Sequence, residues 1–334
     1  MVRILGLSRK WYLLAGLGVL LVVPVVLSNE PFLMHIYIML CLYGVLGQAW
    51  NIIGGYAGQV SLGHTVFFGV GAYTSTILLL KVGLSPWIGM VAGMGLSALS
   101  SAVIGYPCFR LSGKYFVIAT IAVLQIAQTL VIGLEALGGA AGLSLPIQTE
   151  SFWAFQFHSS KNAYAYIALA MMAIATIITY LMSQSRSGFY FRAIRESEDA
   201  AESLGVDTVK YKLYAMIISA VLTSAAGTFY AQYIMYIDPR SVFSYPMAIK
   251  MCLLTTLGGA GTVLGPIIGT LILVPLSELS RAYLGGGGSG VDLIVYGIIL
   301  TLIAIYRPDG IAGLIRQTGQ RLGSKGGINP ETHS

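Results

Sequence analysis

The residues of this chain that could do chemistry point to binding and movement, not to bond-making. No Ser/His/Asp, Cys/His or paired-carboxylate constellation with catalytic logic is present. Cys41, Cys108 and Cys252 lie in or beside apolar segments, at spacings that match no metal site and no disulfide framework. There is no Gly-x4-Gly-Lys-[Ser/Thr] phosphate loop. The nearest text, Cys108-Phe-Arg-Leu-Ser-Gly-Lys-Tyr115, lacks the first glycine and the hydroxyl that would hold magnesium. The chain is expected to carry no catalytic residue, metal or cofactor of its own, so any nucleotide must be bound by a separate subunit.

The polar residues that remain fall into a few groups. The first is the charged run Arg192-Ala-Ile-Arg-Glu-Ser-Glu-Asp-Ala-Ala-Glu-Ser-Leu-Gly205. Ser197 is a good N-cap, Glu198 and Asp199 suit the positive end of a helix, and Gly205 suits a left-handed stop. This predicts a short helix from Glu198 to Leu204, with Ala200, Ala201 and Leu204 on one small apolar face and Arg192 and Arg195 directing charge outward ahead of it. A chain that only had to cross a bilayer would not need it; a docking element for a soluble partner would.

The second group is two glycine-broken segments. One runs from Asn51 through Gly54, Gly55, Gly58, Gln59 and Ser61 to His64. The other contains Gly258, Gly259 and Gly261. Such clusters mark either irregular backbone beside a cavity, hence a translocation path, or close packing and cytoplasmic turns. His64 is a candidate path residue, although a lone histidine in an apolar span is more often a hydrogen-bonded structural one. Lys250 is a cation inside an apolar segment, which calls for a water-filled cavity, a neighbouring subunit or snorkelling. Gln125, Gln128 and Thr129 lie near one helix face and suit interhelical hydrogen bonding. Glu278 and Arg281, three apart, are expected to pair.

The elements that must position these residues are membrane helices. Of the 334 residues, 56% are hydrophobic and only 10% charged, against about 25% charged in a typical soluble domain, and mean hydropathy is +0.79. Apolar runs predict an all-α, polytopic protein forming a single transmembrane domain over 1–334, with about ten spans near 11–28, 32–53, 60–80, 86–107, 114–134, 163–183, 208–233, 243–257, 265–284 and 290–306. The first resembles an uncleaved signal anchor, since Val26-Leu-Ser-Asn29 offers no small-x-small cleavage site. Net charge is +6, but the basic residues lie between spans, which fits membrane orientation and not nucleic acid. With the N-terminus inside, Arg3, Arg9, Lys10, Arg110, Lys114, Arg186, Arg192, Arg195, Lys210, Lys212, Arg307, Arg316, Arg321 and Lys325 are cytoplasmic, 14 in all. Lys81, Lys161, Arg240 and Arg281 are outside, 4 in all. That bias predicts both termini in the cytoplasm. The external loop, about 135–162, holds Phe152, Trp153, Phe155 and Phe157 and reads as an interfacial loop, a gate or a seat for a binding protein.

Asp199-Ala-Ala-x-x-x-Gly205 is similar to the Glu-Ala-Ala-x-x-x-Gly motif of ABC importer permeases, with Asp for the usual Glu. Asn51-x-x-x-Gly55-x-x-Gly58-x-x-Ser61-Leu-Gly-His64, Phe67-x-Gly-x-Gly-Ala-Tyr73, Asp238-Pro239, Leu257-Gly-Gly-x-Gly-Thr-x-x-Gly-Pro266 and Tyr306-Arg-Pro-Asp-Gly310 resemble permeases of branched-chain amino acid ABC importers, nearer the LivM than the LivH type, over roughly 36–315. The resemblance implies alternating access powered by two separate ATPase subunits, which bind ATP and magnesium, with the helix near 197–205 as their contact. It also implies a second, LivH-like permease, a periplasmic binding protein, and residence in the plasma (inner) membrane of a prokaryote, among membrane lipid. Relatives of the group move urea and short amides. An ion-coupled secondary carrier using Lys250 or Glu278 is the competing expectation.

Overall fold

The computed structural model describes residues 21–111, 113–158, 160–283 and 297–298. The expected first span, 11–28, lies partly outside them and the tenth, 290–306, almost wholly so, together with the tail motif at 306–310.

Helix α1, Pro31–Trp50, starts on a proline at its first turn and winds on into a π-helical stretch, Asn51–Tyr56. Helix α2, Thr65–Ile77, is extended by a second π-helical stretch, Leu78–Val82, and stopped by Gly83 at φ +71°. Ser85 caps α3, Pro86–Cys108, and α4 covers Lys114–Gly133. After the external loop come α5, Asn162–Gln184, then two short polar helices, α6, Arg186–Glu196, and α7, Glu198–Ser203. Asp207 caps α8, Thr208–Ile234, the longest helix described. Then follow α9, Pro239–Val242; α10, Tyr245–Gly258; and α11, Gly265–Tyr283, with Pro275 inside it. Six helical stretches are long and apolar enough to cross a membrane: 31–56, 65–82, 86–108, 114–133, 162–184 and 208–234.

Most predicted boundaries hold within two residues. The span expected to begin at residue 60 begins at Thr65, because Gly58 (φ +71°) breaks the chain and the Ser61 carbonyl accepts from the Trp50 indole N–H at 2.7 Å. The chain from Gln59 to Gly63 is therefore irregular.

Helix α8 packs against α2, α3 and α1 through small residues. A Cβ at Gly71 would lie 2.1 Å from the Ser224 carbonyl oxygen, and one at Gly227 would lie 2.0 Å from that of Phe68. Backbones this close are how membrane helices gain van der Waals contact without a hydrophobic driving force between them. The helix ends then gather into two groups. At one end Lys81 Nζ donates to the Ala136 carbonyl (3.0 Å) and Ser85 Oγ to that of Trp153 (2.5 Å). There also Leu143–Ser144 (β1) pairs antiparallel with Tyr236–Ile237 (β2). At the opposite end lie α6, α7, the 57–64 connection and the 259–264 connection.

Candidate functional site

The charged run folds as predicted from Ser197 onward. Ser197 Oγ accepts from the Ala200 N–H at 3.3 Å, and Gly205 sits at φ +82°. The preceding helix α6 was not legible as a helix in its polar composition. Its signals are Ser185, which accepts from the Gly188 N–H at 3.2 Å, and the pair Phe191 and Ile194, 0% and 3% exposed. Tyr190 packs its ring 4.6 Å from that of Tyr211 on α8.

Two expectations about this segment are corrected. Ala200, Ala201 and Leu204 do not share a face: Ala201 is 2% exposed while Leu204 is 85% exposed. Neighbouring helical positions point about 100° apart, so Ala200 follows Leu204 outward and Ala201 turns to the body. The outward face is Asp199, Ala200, Ser203 and Leu204, all exposed; the side toward the body carries half-buried Glu198 and buried Ala201, with Glu202, still exposed, at its edge. The arginines also do not simply project away. Arg195 Nη1 donates to the Gly55 carbonyl at 2.7 Å. Arg192 donates to the carbonyls of Ser183 (2.9 Å) and Gly188 (3.2 Å) and lies 4.8 Å from the Phe189 ring centroid. Each guanidinium satisfies a carbonyl that a helix end or an irregular turn would otherwise leave short of donors.

The two glycine segments, 206 residues apart between Gly55 and Gly261, meet beside Arg195. Asn51 Nδ2 donates to the Thr262 carbonyl at 2.9 Å, and Asn51 Oδ1 accepts from the Gly261 N–H at 2.8 Å. Gln48 Nε2 donates to the Val263 carbonyl at 2.7 Å. Glycine is required where these groups cross. A Cβ at Gly55 would sit 1.9 Å from Asn51 Oδ1 and 2.5 Å from the Gly261 nitrogen. One at Gly261, where φ is +78°, would sit 2.2 Å from Arg195 Nη1. Gly54 lies over the Trp50 ring, Gly58 against Arg195, and Gly258 against the Gly265 carbonyl, while Gly259 ends α10 at φ +120°. Ser61, His64 and Asn51 are all buried, and His64 Nε2 lies 2.8 Å from Ser219 Oγ; Gln59 is half-buried.

Lys250 is held inside this chain instead of reaching lipid: it is 6% exposed, donates to Ser277 Oγ at 3.2 Å and lies 4.0 Å from the Tyr43 ring centroid. Glu278 is likewise buried; the side chain of Arg281, its expected partner, is outside the described residues. On α4, Gln128 reaches the Phe243 carbonyl at 3.0 Å, but Ala122, Gln125, Thr129 and Gly133 form an exposed stripe at intervals of three and four. Polar groups exposed in mid-span are costly against hydrocarbon. The expected interhelical bonding is seen for Gln128; among the described residues Gln125 Nε2 reaches the Gln128 side chain at 3.4 Å. Among the described residues, no group of three or more His, Cys, Asp or Glu is placed to hold a metal.

Comparison with known proteins gives the geometry its setting. Residues 32–304 match the family described as branched-chain amino acid transport system, permease component. The high-affinity branched-chain amino acid transport system permease protein LivM of Salmonella typhimurium is 27% identical over 92% of this chain and 76% of its own length. LivH of Escherichia coli K12 is 26% identical over 81% of this chain and 91% of its own. The L-arabinose transport system permease protein AraH of the same strain is 27% identical over 60% and 61%. No solved structure matches. A chain of apolar crossing helices that matches this family over most of its length is thus a multi-pass protein of the prokaryotic inner membrane and belongs to the family of branched-chain amino acid transport permeases.

Proposed function

We propose that this chain is the LivM-type half of an ATP-driven importer for branched-chain amino acids, working by alternating access beside a LivH-like permease. It crosses the membrane ten times with both termini in the cytoplasm, and the end bearing α6 and α7 faces the cell interior. The excess of basic residues on that side supports the orientation, as does the sorting of helix ends into two opposite groups. Two ATPase subunits bind ATP and magnesium, and a periplasmic protein delivers the substrate to the end bearing β1 and β2. The outward face of α7, from Asp199 to Leu204, seats in an ATPase subunit. Arg192, Arg195 and Gly205 fix its angle.

The exposed α4 stripe faces the second permease and forms part of the path. The glycine segments, from Asn51 to His64 and from Gly258 to Gly261, flank the inner gate. The path offers amide, hydroxyl and small apolar groups, so selection rests mainly with the binding protein.

The observation carrying this reading is Leu204, a large apolar side chain left 85% exposed at the tip of a capped, anchored helix. A single exposed leucine is ordinary on a protein surface; its weight here comes from closing the outward face of the capped helix that carries the Asp199-Ala-Ala-x-x-x-Gly205 pattern. The test is reconstitution of both permeases and both ATPases in vesicles with ATP and magnesium inside and the binding protein outside. ATP inside should drive uptake of labelled leucine, as expected if the face bearing α7 is the cytoplasmic one. Uptake driven by an ion gradient without ATP would overturn the proposal in favour of a secondary carrier.

A further inference from the structure

The contact of α7 with an ATPase subunit uses only its outward face; the inward face carries an arrangement of its own. Lys212 is the fifth residue of α8, and its side chain is 1% exposed. A buried ammonium needs an anionic partner, and the Glu198 carboxylate, on the first residue of α7, is bonded to it. Thr208, one turn before Lys212, donates from Oγ1 to Glu202 Oε1 at 2.7 Å and lies 3.4 Å from Glu198 Oε1. Glu198 and Glu202 are four apart on α7; Thr208 and Lys212 are four apart on α8. Residues at that spacing share a helix face, so two short ladders interlock across the joint, with buried Ala201 on the same face.

The 204–207 connection is closed by backbone bonds, from the Gly205 N–H to the Glu202 carbonyl at 2.8 Å and from the Val206 N–H to that of Ala201 at 3.1 Å, and the side-chain bonds add a second tie that sets the angle between the two helices. Gly205 is in the left-handed region, and a side chain there would meet nothing within 4 Å. With the side-chain bonds, α7 and the first turns of α8 are tied at both ends of α7. Helix α8 then runs 27 residues against α1, α2 and α3.

We infer that the Glu198–Lys212 pair, seconded by Glu202–Thr208, makes α7 and α8 a single rigid body, so that force on α7 enters the membrane through α8, with Lys212 as its positioning residue. This rests on the assignment of α7 as the ATPase contact. A salt bridge suits such a joint better than an apolar contact because it fixes register, and a sliding apolar contact would not.

The test uses the reconstituted importer and reads leucine taken up per ATP hydrolysed. Lys212→Met and Glu198→Gln should assemble and hydrolyse ATP while that ratio falls about tenfold, a usual size for coupling between sites; Lys212→Arg should restore much of it. Hydrogen exchange across 198–204 in the assembled complex should speed up in Lys212→Met and not in Lys212→Arg. A wild-type ratio in both Lys212→Met and Glu198→Gln would overturn the inference alone. If Lys212→Met fails to assemble, the ratio in Glu198→Gln decides by the same criterion. No ATP-driven uptake by the unaltered importer would instead remove the ATPase assignment of α7, and this inference with it.

Discussion

The two ends of the molecule mix the same forces in different proportions. At the end bearing α6 and α7, the joints are directional: Arg195 to the Gly55 carbonyl, Asn51 to both Gly261 and Thr262, Lys212 to Glu198. At the opposite end, the 135–162 loop has hydrogen bonds of its own, from Lys81, Ser85 and Trp87, but its buried centre is a cluster of rings. Phe155 is fully buried, 4.4 Å from the Trp87 ring centroid and 6.0 Å from that of Phe229, with Tyr164 beside it. Ring packing is tolerant of small displacements; a hydrogen bond loses its worth within a few tenths of an ångström and some tens of degrees. The ring-packed centre of the second end can adjust by small displacements where the bonded crossing of the first cannot.

That contrast should separate stability from coupling. Phe155→Ala is expected to cost the most stability, about 3–5 kcal/mol, seen as a lower Tm of the purified protein, with uptake per ATP unchanged in what remains folded. An altered ratio would show that the ring-held end also gates. Gly55→Val is next, at about 1–3 kcal/mol or more from overpacking against Asn51 and Gly261; here the ratio should fall with the Tm. Arg195→Ala should cost about 1.5–3 kcal/mol for a hydrogen bond from a charged donor, and Arg195→Lys should recover only part of it, since the joint needs the reach and planarity of guanidinium. Uptake coupling equal to wild type in Arg195→Ala would separate the glycine crossing from the motion of α7. Smallest in stability is Leu204→Ser, within about 0.5 kcal/mol for an exposed site, but co-purification of ATPase subunits should be lost. Retained ATPase would place their contact elsewhere.

Much of this was legible in the sequence for simple reasons. Helices α3, α4, α5 and α8 are long apolar runs bounded by Ser85 and Pro86, Gly113, Gln184 and Asp207, so composition and caps set their limits. The short helix at 198–203 was legible because Ser197, Glu198, Asp199 and Gly205 are local signals. What was not legible depends on partners far along the chain. Lys212 counts as one more basic residue near a span end until α7 folds over it. Arg195 reads as an outward charge until the Gly55 carbonyl, 140 residues earlier, is placed beside it. The late start of α2 follows from a Trp50–Ser61 bond that no periodicity encodes. On α4 the sequence groups Gln125, Gln128 and Thr129 near one face, but which side of the helix lies bare was not legible, because only the packed neighbours decide that.

The wide-wound stretch from Asn51 to Tyr56 has a bearing on how this chain tolerates change. A coil closed by i to i+5 bonds holds about one residue more per turn than the ordinary 3.6-residue winding. Losing one residue there would let the strand of chain tighten to the standard pitch while everything on either side kept its facing. The same loss in the middle of α8 has no slack to draw on and would swing every later side chain by about 100°. Length variation between natural versions of this protein should therefore avoid its longest rod, and in the wide coil it is limited to changes that keep Asn51 and Gly55 in register with Gly261.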